Sequence, residues 1–234
     1  MKKMSLFRYV IAAVAALTLF SAPVYATTVT FTATNGGPGS DDSATAVFTF
    51  GITPGVLTIT LTDTSTITSI GNILDGLTFE TSGTATGFTL ANVVPTGVED
   101  CTSGTCSPTS GSSPFLWTVG SLSGDHTLFA GNGSFKPYGI VNAGMNANLD
   151  GLDNAQHNPY LLGPVTFTLN FSGTITGITG AAFYFGTGPD IVNGGGSGGS
   201  GGAGAGEVPE PASMLLLGTG LVGAAMRFRR RKKA

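Results

Sequence analysis

Chemistry in this 234-residue chain has to come from a short set of side chains: two cysteines, two histidines and thirteen carboxylates. Cys101 and Cys106 lie in a stretch rich in Thr, Ser and Gly. In an oxidising compartment two such cysteines are expected to join in a local disulfide. Closing so short a loop stabilises by about 2 kcal/mol on the chain-entropy model, which pins a loop rather than a fold. The alternative is a zinc pair. It would need two more ligands, and only His126 and His157 offer imidazoles.

The carboxylates come in neighbouring pairs: Asp41 with Asp42, Glu99 with Asp100, and Asp150 with Asp153. Glycoside hydrolysis needs two carboxyl groups set across a cleft, whereas adjacent acids in Gly- and Ser-rich loops are expected to be solvated. Neither histidine is marked as the base of a particular nucleophile. Gly195-Gly196-Ser197-Gly198-Gly199 matches the G-x-S-x-G nucleophile pattern but lacks its strand–turn–helix context. No catalytic set is expected, and the chain reads as a non-enzyme. Asn146-Ala147-Asn148-Leu149-Asp150-Gly151 echoes the start of an EF-hand loop, and Asp153 and Asn154 could add oxygens. Its first position is Asn, and its twelfth is His157 rather than a bidentate Glu. Weak calcium binding is the most it offers, so no cofactor and no metal site are expected. Trp117, Tyr138, Tyr160 and Tyr184 could stack on sugars, although single aromatics in strand contexts more often pack a core.

The elements that must position these groups are strands. Residues 28–34, 57–62 and 165–171 alternate Thr or Asn with apolar side chains. Weaker alternation appears at 44–50, 77–81, 87–94, 115–119, 127–130, 138–141 and 181–185. Period two puts apolar groups on one face and β-branched Thr on the other, as in a half-buried antiparallel strand. Turn formers separate the runs, among them Asn35-Gly36-Gly37-Pro38-Gly39, Thr53-Pro54-Gly55 and Asn132-Gly133. Residues 67–74 read equally as strand or short helical turn. About ten short strands predict an all-β, antiparallel two-sheet sandwich of jelly-roll-like size over residues 27–193. Residues 194–206 hold only Gly, Ser and Ala and read as a flexible linker with a reach of roughly 20 Å.

Charge separates this body from its ends. Between residues 27 and 206, Lys136 stands alone against eleven acids, a net charge of −10. Nucleic-acid binding needs cations against phosphate, so that role is excluded. At the N-terminus, Lys2, Lys3 and Arg8 precede an apolar run at residues 9–20, and Val24-Tyr25-Ala26 offers a cleavage site. Residues 1–26 therefore read as a secretory signal peptide cut after Ala26, the apolar run being too short to span a membrane.

Residues 207–234 form a three-part signal: Val208-Pro209-Glu210-Pro211, an apolar segment at 212–226, and the basic cluster Arg227, Arg229, Arg230, Arg231, Lys232 and Lys233. The segment would be about 22 Å long as a helix, marginal against a hydrocarbon core of roughly 30 Å. The positive-inside rule keeps the basic stop-transfer tail in the cytoplasm. This order resembles the PEP-CTERM sorting signal of exported Gram-negative bacterial proteins, a segment also carried by some exported ice-binding proteins. The resemblance implies an exosortase-type membrane protease as partner. It also implies transient inner-membrane anchoring through residues 212–226, then a place at the cell surface or outside the cell.

For the body, the expected role is that of a non-enzymatic surface or matrix protein. An exopolysaccharide-binding module is the alternative, and an ice-binding protein or a secreted hydrolase ranks behind it. Ice-binding solenoids need Thr ladders from repeats of fixed period, but the runs at Thr28, Thr58 and Thr166 are unevenly spaced and no internal repeat is seen.

Overall fold

The computed structural model describes residues 26–34, 42–102, 105–142, 156–186 and 190–197. Alternation of Thr with Val, Ile, Leu and Phe makes the strands, as the pleat demands. The first sheet contains β1 (Thr27–Thr34), β2 (Ser43–Phe50), β3 (Val56–Asp63) and β5 (Thr86–Val94). It is completed by β12 (Val165–Ser172) and β15 (Gly195–Ser197), in the order β15-β1-β2-β3-β12-β5. The second sheet is built on β4 (Leu74–Gly83) and β13 (Ile175–Phe185), with β14 (Asp190–Asn193) at one edge. On the far side of β4 lie β10 (Ile140–Val141), β11 (Tyr160–Leu162), β6 (Gly97–Thr102) and β7 (Thr105–Pro108). β9 (Asp125–Phe129) also pairs with β4, and β8 (Thr118–Leu122) pairs with β9.

The inward faces make the core. Phe48 of the first sheet meets Phe31 at 5.8 Å and Phe79 of the second at 5.4 Å between ring centroids. Leu57, Ile59, Leu61, Phe167, Leu169, Leu77 and Phe183 fill the space between them, all fully buried. Burying each such side chain stabilises by about 1.5–3 kcal/mol.

The all-β, two-sheet expectation holds among the described residues, with three corrections. Pairing is antiparallel except between β10 and β11, which run parallel with Ile140 opposite Leu161. The run expected at 115–119 begins later, as β8. Phe115 and Leu116 take φ of 51° and 53°, in turns closed by Phe115 N to Ser112 O at 3.0 Å and Trp117 N to Pro114 O at 3.1 Å. The third concerns the linker. Its residues Gly195–Ser197 form β15, paired with Thr30, Phe31 and Thr32 of β1. The ambiguous piece at 67–74 resolves into a 3-10 turn at Ile70–Asn72 followed by β4. Ser69 caps that turn through Gly71 N to Ser69 Oγ at 3.1 Å.

Candidate functional site

Cys101 and Cys106 are bonded, with an S–S distance of 1.97 Å. They face one another across the β6–β7 hairpin rather than in the loop expected from the local composition. Asn158 ties this hairpin to the chain before β11. Cys101 N donates to Asn158 Oδ1 at 2.6 Å, and Asn158 Nδ2 returns a bond to Cys101 O at 3.2 Å. Glu99 brings a carboxylate within 4.8 Å of both sulfurs, but disulfide sulfurs are no thiolate ligands for zinc.

The two histidines serve separate places. His126 on β9 shares a hydrogen bond with Thr81 Oγ1 at 3.2 Å and packs on Phe88 at 4.2 Å. Burial pushes its pKa down, partly opposed by Asp125. His157 is buried, and burial, with Lys136, also pushes its pKa down. Both therefore favour the neutral form at pH 7. The aromatic candidates for sugar stacking are largely consumed by packing. Trp117 is 1% exposed, donates Nε1 to Tyr138 O at 2.8 Å and lies 4.7 Å from Phe167. Tyr160 and Tyr184 are also buried. A groove of about 390 Å³ opens beside β15, lined by Phe31, Glu80, Asp125, Thr179, Asn193 and Gly196 among others. It carries two carboxylates, and none of its lining residues is a histidine, cysteine or lysine.

Two features escaped the sequence reading. The first is a group of buried acids. Asp42, Asp63 and Asp75 are 2%, 1% and 3% exposed, so Asp42 is not the solvated acid expected. Asp42 Oδ1 accepts from Asn72 Nδ2 at 2.9 Å, and Asp63 Oδ1 accepts from Ser65 N at 2.8 Å. Burial raises the Asp63 pKa to about 7, opposed by hydrogen bonds from Ser65 and Leu74 and assisted by Asp42. Burial, with Asp63 nearby, pushes Asp75 well above the usual carboxylate range. A legible signal existed. Asp63 shares the parity of Leu57, Ile59 and Leu61, Asp75 that of Leu77 and Phe79, and Asp42 that of Ala44 and Phe48.

The second feature is the outer face of the first sheet. Strand pairing sets Thr28, Thr49, Thr58 and Thr168 in one cross-strand row. Thr30, Val47, Thr60 and Thr166 form the next, and Thr32, Thr45 and Thr62 a third. Thr60 Oγ1 and Thr166 Oγ1 lie 3.4 Å apart. Thr runs that are unevenly spaced in sequence thus fall into register in space, which removes the spacing argument against a ladder. Their side chains are half-buried or exposed, and the rows carry no charge.

The remaining sequence-derived sites lie outside the described residues. These are residues 1–25 of the expected signal peptide, the oxygen-rich loop at Asn146, Asn148, Asp150, Asp153 and Asn154, and Asp41. The sorting motif Val208-Pro209-Glu210-Pro211, the apolar segment 212–226 and the basic tail lie outside as well. Ala26 is exposed and directly precedes β1. Among the described residues no helix is long and apolar enough to cross a membrane.

No curated protein and no solved structure matches the chain. Residues 207–231 match the family model of the PEP-CTERM protein-sorting motif, and with that motif the chain carries the sorting signal of an exported protein that transits the membrane.

Proposed function

We propose that this protein is a non-enzymatic component of the cell surface or extracellular matrix, cut by an exosortase at Val208-Pro209-Glu210-Pro211. The observation that carries the reading is the match of residues 207–231 to the sorting motif. Segment 212–226 anchors the protein in the inner membrane until processing, with Arg227 to Lys233 held on the cytoplasmic side. The body supports a passive role. Among the described residues the cysteines are bonded to each other, and His126, which meets the Thr81 hydroxyl, is packed against the rings of Phe79 and Phe88. Intact-mass analysis of the surface protein tests the sorting. A mature form that has lost Arg227 through Lys233 is expected, and one that retains them refutes the reading.

A second reading, binding of an uncharged exopolysaccharide, draws on the threonine rows. Hydroxyls at strand spacing, with no carboxylate among them, suit a neutral polymer better than the acidic remainder of the surface does. Adhesion to the host's own polysaccharide that is lost in Thr58→Lys/Thr60→Lys/Thr168→Lys favours this reading. Adhesion unchanged by these substitutions removes it.

A further inference from the structure

Strand register lays out the outer face of the second sheet. Leu77, Phe79, Leu128 and Phe183 point into the core, so the alternate residues of β4, β9 and β13 point outward. Pairing sets Ile191, Tyr184, Gly76, Phe129 and Thr118 in one cross-strand row. Asn193, Ala182, Thr78, Thr127 and Gly120 form the next, with small or polar side chains. Glu80 and Asp125 lie one step beyond the Phe79–His126 pair, so two carboxylates leave neighbouring strands side by side. An aromatic row, a low row and an acidic pair thus follow one another along the same strands. From Gly76 to Glu80 they cover roughly 13 Å.

The groove of about 390 Å³ takes Thr78, Glu80, Asp125, Ala182 and Asn193 into its lining. Ligand sites typically measure about 300–1,000 Å³. Thr179 Oγ1 donates to Glu80 Oε2 at 3.1 Å and so orients the carboxylate, whose carbon lies 3.6 Å from where a Cβ at Gly180 would stand. Like charges directly opposite one another destabilise a strand pair. Lys136, the one basic residue between positions 27 and 206, donates instead to Gln156 Oε1 at 2.9 Å. In the aromatic row Phe129 lies over Gly76, where an added Cβ would stand 2.2 Å from Phe129 Cδ1. Phe135 is 4.9 Å from Phe129 and stacks on Tyr184 at 6.2 Å, and both phenylalanines are half-buried. Phe135 is held at a φ of 60°, a strained backbone for a bulky side chain, and such strain gathers at ligand sites.

Ionised carboxylates only accept hydrogen bonds, so the groove calls for a ligand rich in donors. A net charge of −10 over residues 27–206 repels acidic polymers. Neutral sugars meet both conditions. Their hydroxyls donate to carboxylates, and the C–H face of a sugar ring rests on an aromatic face, whose π-cloud is negative. We propose that the groove and the adjoining aromatic ledge bind a neutral oligosaccharide. Glu80 and Asp125 accept from its hydroxyls, while Phe129 and Phe135 carry one ring. The site lies on the opposite sheet from the threonine rows and does not depend on them.

The test titrates the purified exported protein, by calorimetry, with neutral tetrasaccharides of glucose, mannose and galactose and with a glucosamine tetramer. Saturable binding of at least one neutral tetramer is expected. Glu80→Gln/Asp125→Asn should weaken it about tenfold or more, and Phe135→Leu severalfold, whereas Glu99→Gln on β6 should leave it unchanged. The carboxylate double variant removes two opposed like charges, so its melting temperature should hold or rise while binding falls, which separates a lost site from a lost fold. Failure of wild type to bind any neutral tetramer overturns the proposal. So does wild-type affinity in the double variant, which would place the sugar elsewhere. Binding of the glucosamine tetramer alone would assign the acids to an amine and equally overturn the neutral-sugar site. If Phe135→Leu fails to fold, the carboxylate variant decides.

Discussion

Gly196 lies opposite Phe31 across the β15–β1 pair, where an added Cβ would stand 2.3 Å from two carbons of the Phe31 ring. Gly194 is nearly as close, its Cβ position 3.0 Å from the Phe183 ring and 3.2 Å from Phe31 Cβ, and Gly194 N donates to Ala181 O at 2.9 Å. Absence of a side chain thus lets residues 194–197 lie flat on β1 and cover its edge, which otherwise would offer unpaired backbone groups. The stretch read as a linker is thus strand through Ser197.

Gly196→Val should therefore displace β15. A loss of about 1–2 kcal/mol is expected from the steric conflict. Hydrogen exchange at the β1 edge, read against an unchanged β2–β3 pair, measures it. Protection that stays at the wild-type level refutes the docked strand.

Asp63 makes stability depend on pH in an uncommon direction. Its folded pKa, about 7, lies above the ordinary aspartate value of 3.8. The folded state therefore holds its proton more tightly, and the contribution is complete below pH 4. It is lost as pH rises through 7. Stability should fall between about pH 4 and 7 by an amount on the order of a few kcal/mol. Asp63→Asn should flatten that slope. Urea midpoints across the range check this, and a wild-type midpoint that rises with pH contradicts it.

Removing the disulfide with Cys101→Ser/Cys106→Ser should lower stability by about 2 kcal/mol and leave the fold intact, because the closed loop is short. The β6–β7 hairpin keeps its other tie, the pair of hydrogen bonds between Asn158 and Cys101. Circular dichroism should remain β-type while the denaturation midpoint moves. Global unfolding of the variant would show the bond to be a condition of folding instead.

Trp117 is a core residue, so Trp117→Ala should cost about 3–5 kcal/mol. Wild-type emission should be that of a buried indole and should not shift when polysaccharide is added. A ligand-dependent shift without change in stability would place Trp117 at a binding surface.

Strand periodicity was readable because a half-buried pleat writes its two environments into alternate residues. Thr28 to Thr34, Leu57 to Thr62 and Val165 to Phe171 therefore announced β1, β3 and β12, and the match at residues 207–231 was local enough to be recognised without a fold. The same parity already turned Asp42, Asp63 and Asp75 inward, but a lone acid ending an apolar run looks like a solvated strand end. Only the packing of β10 against both β3 and β4 buried Asp63 and Asp75. The β6–β7 hairpin was hidden because Glu99, Asp100 and Ser107 break the alternation, and its pairing with β11 depends on residues about 60 positions away. Register between distant strands also decided the threonine face. Thr49, Thr58 and Thr168 are unevenly spaced along the chain and neighbours in the sheet, since hydrogen bonding aligns strands irrespective of the length of chain between them. Composition alone made the Gly-rich stretch a tether; the aromatic ring of Phe31 made its first residues a strand.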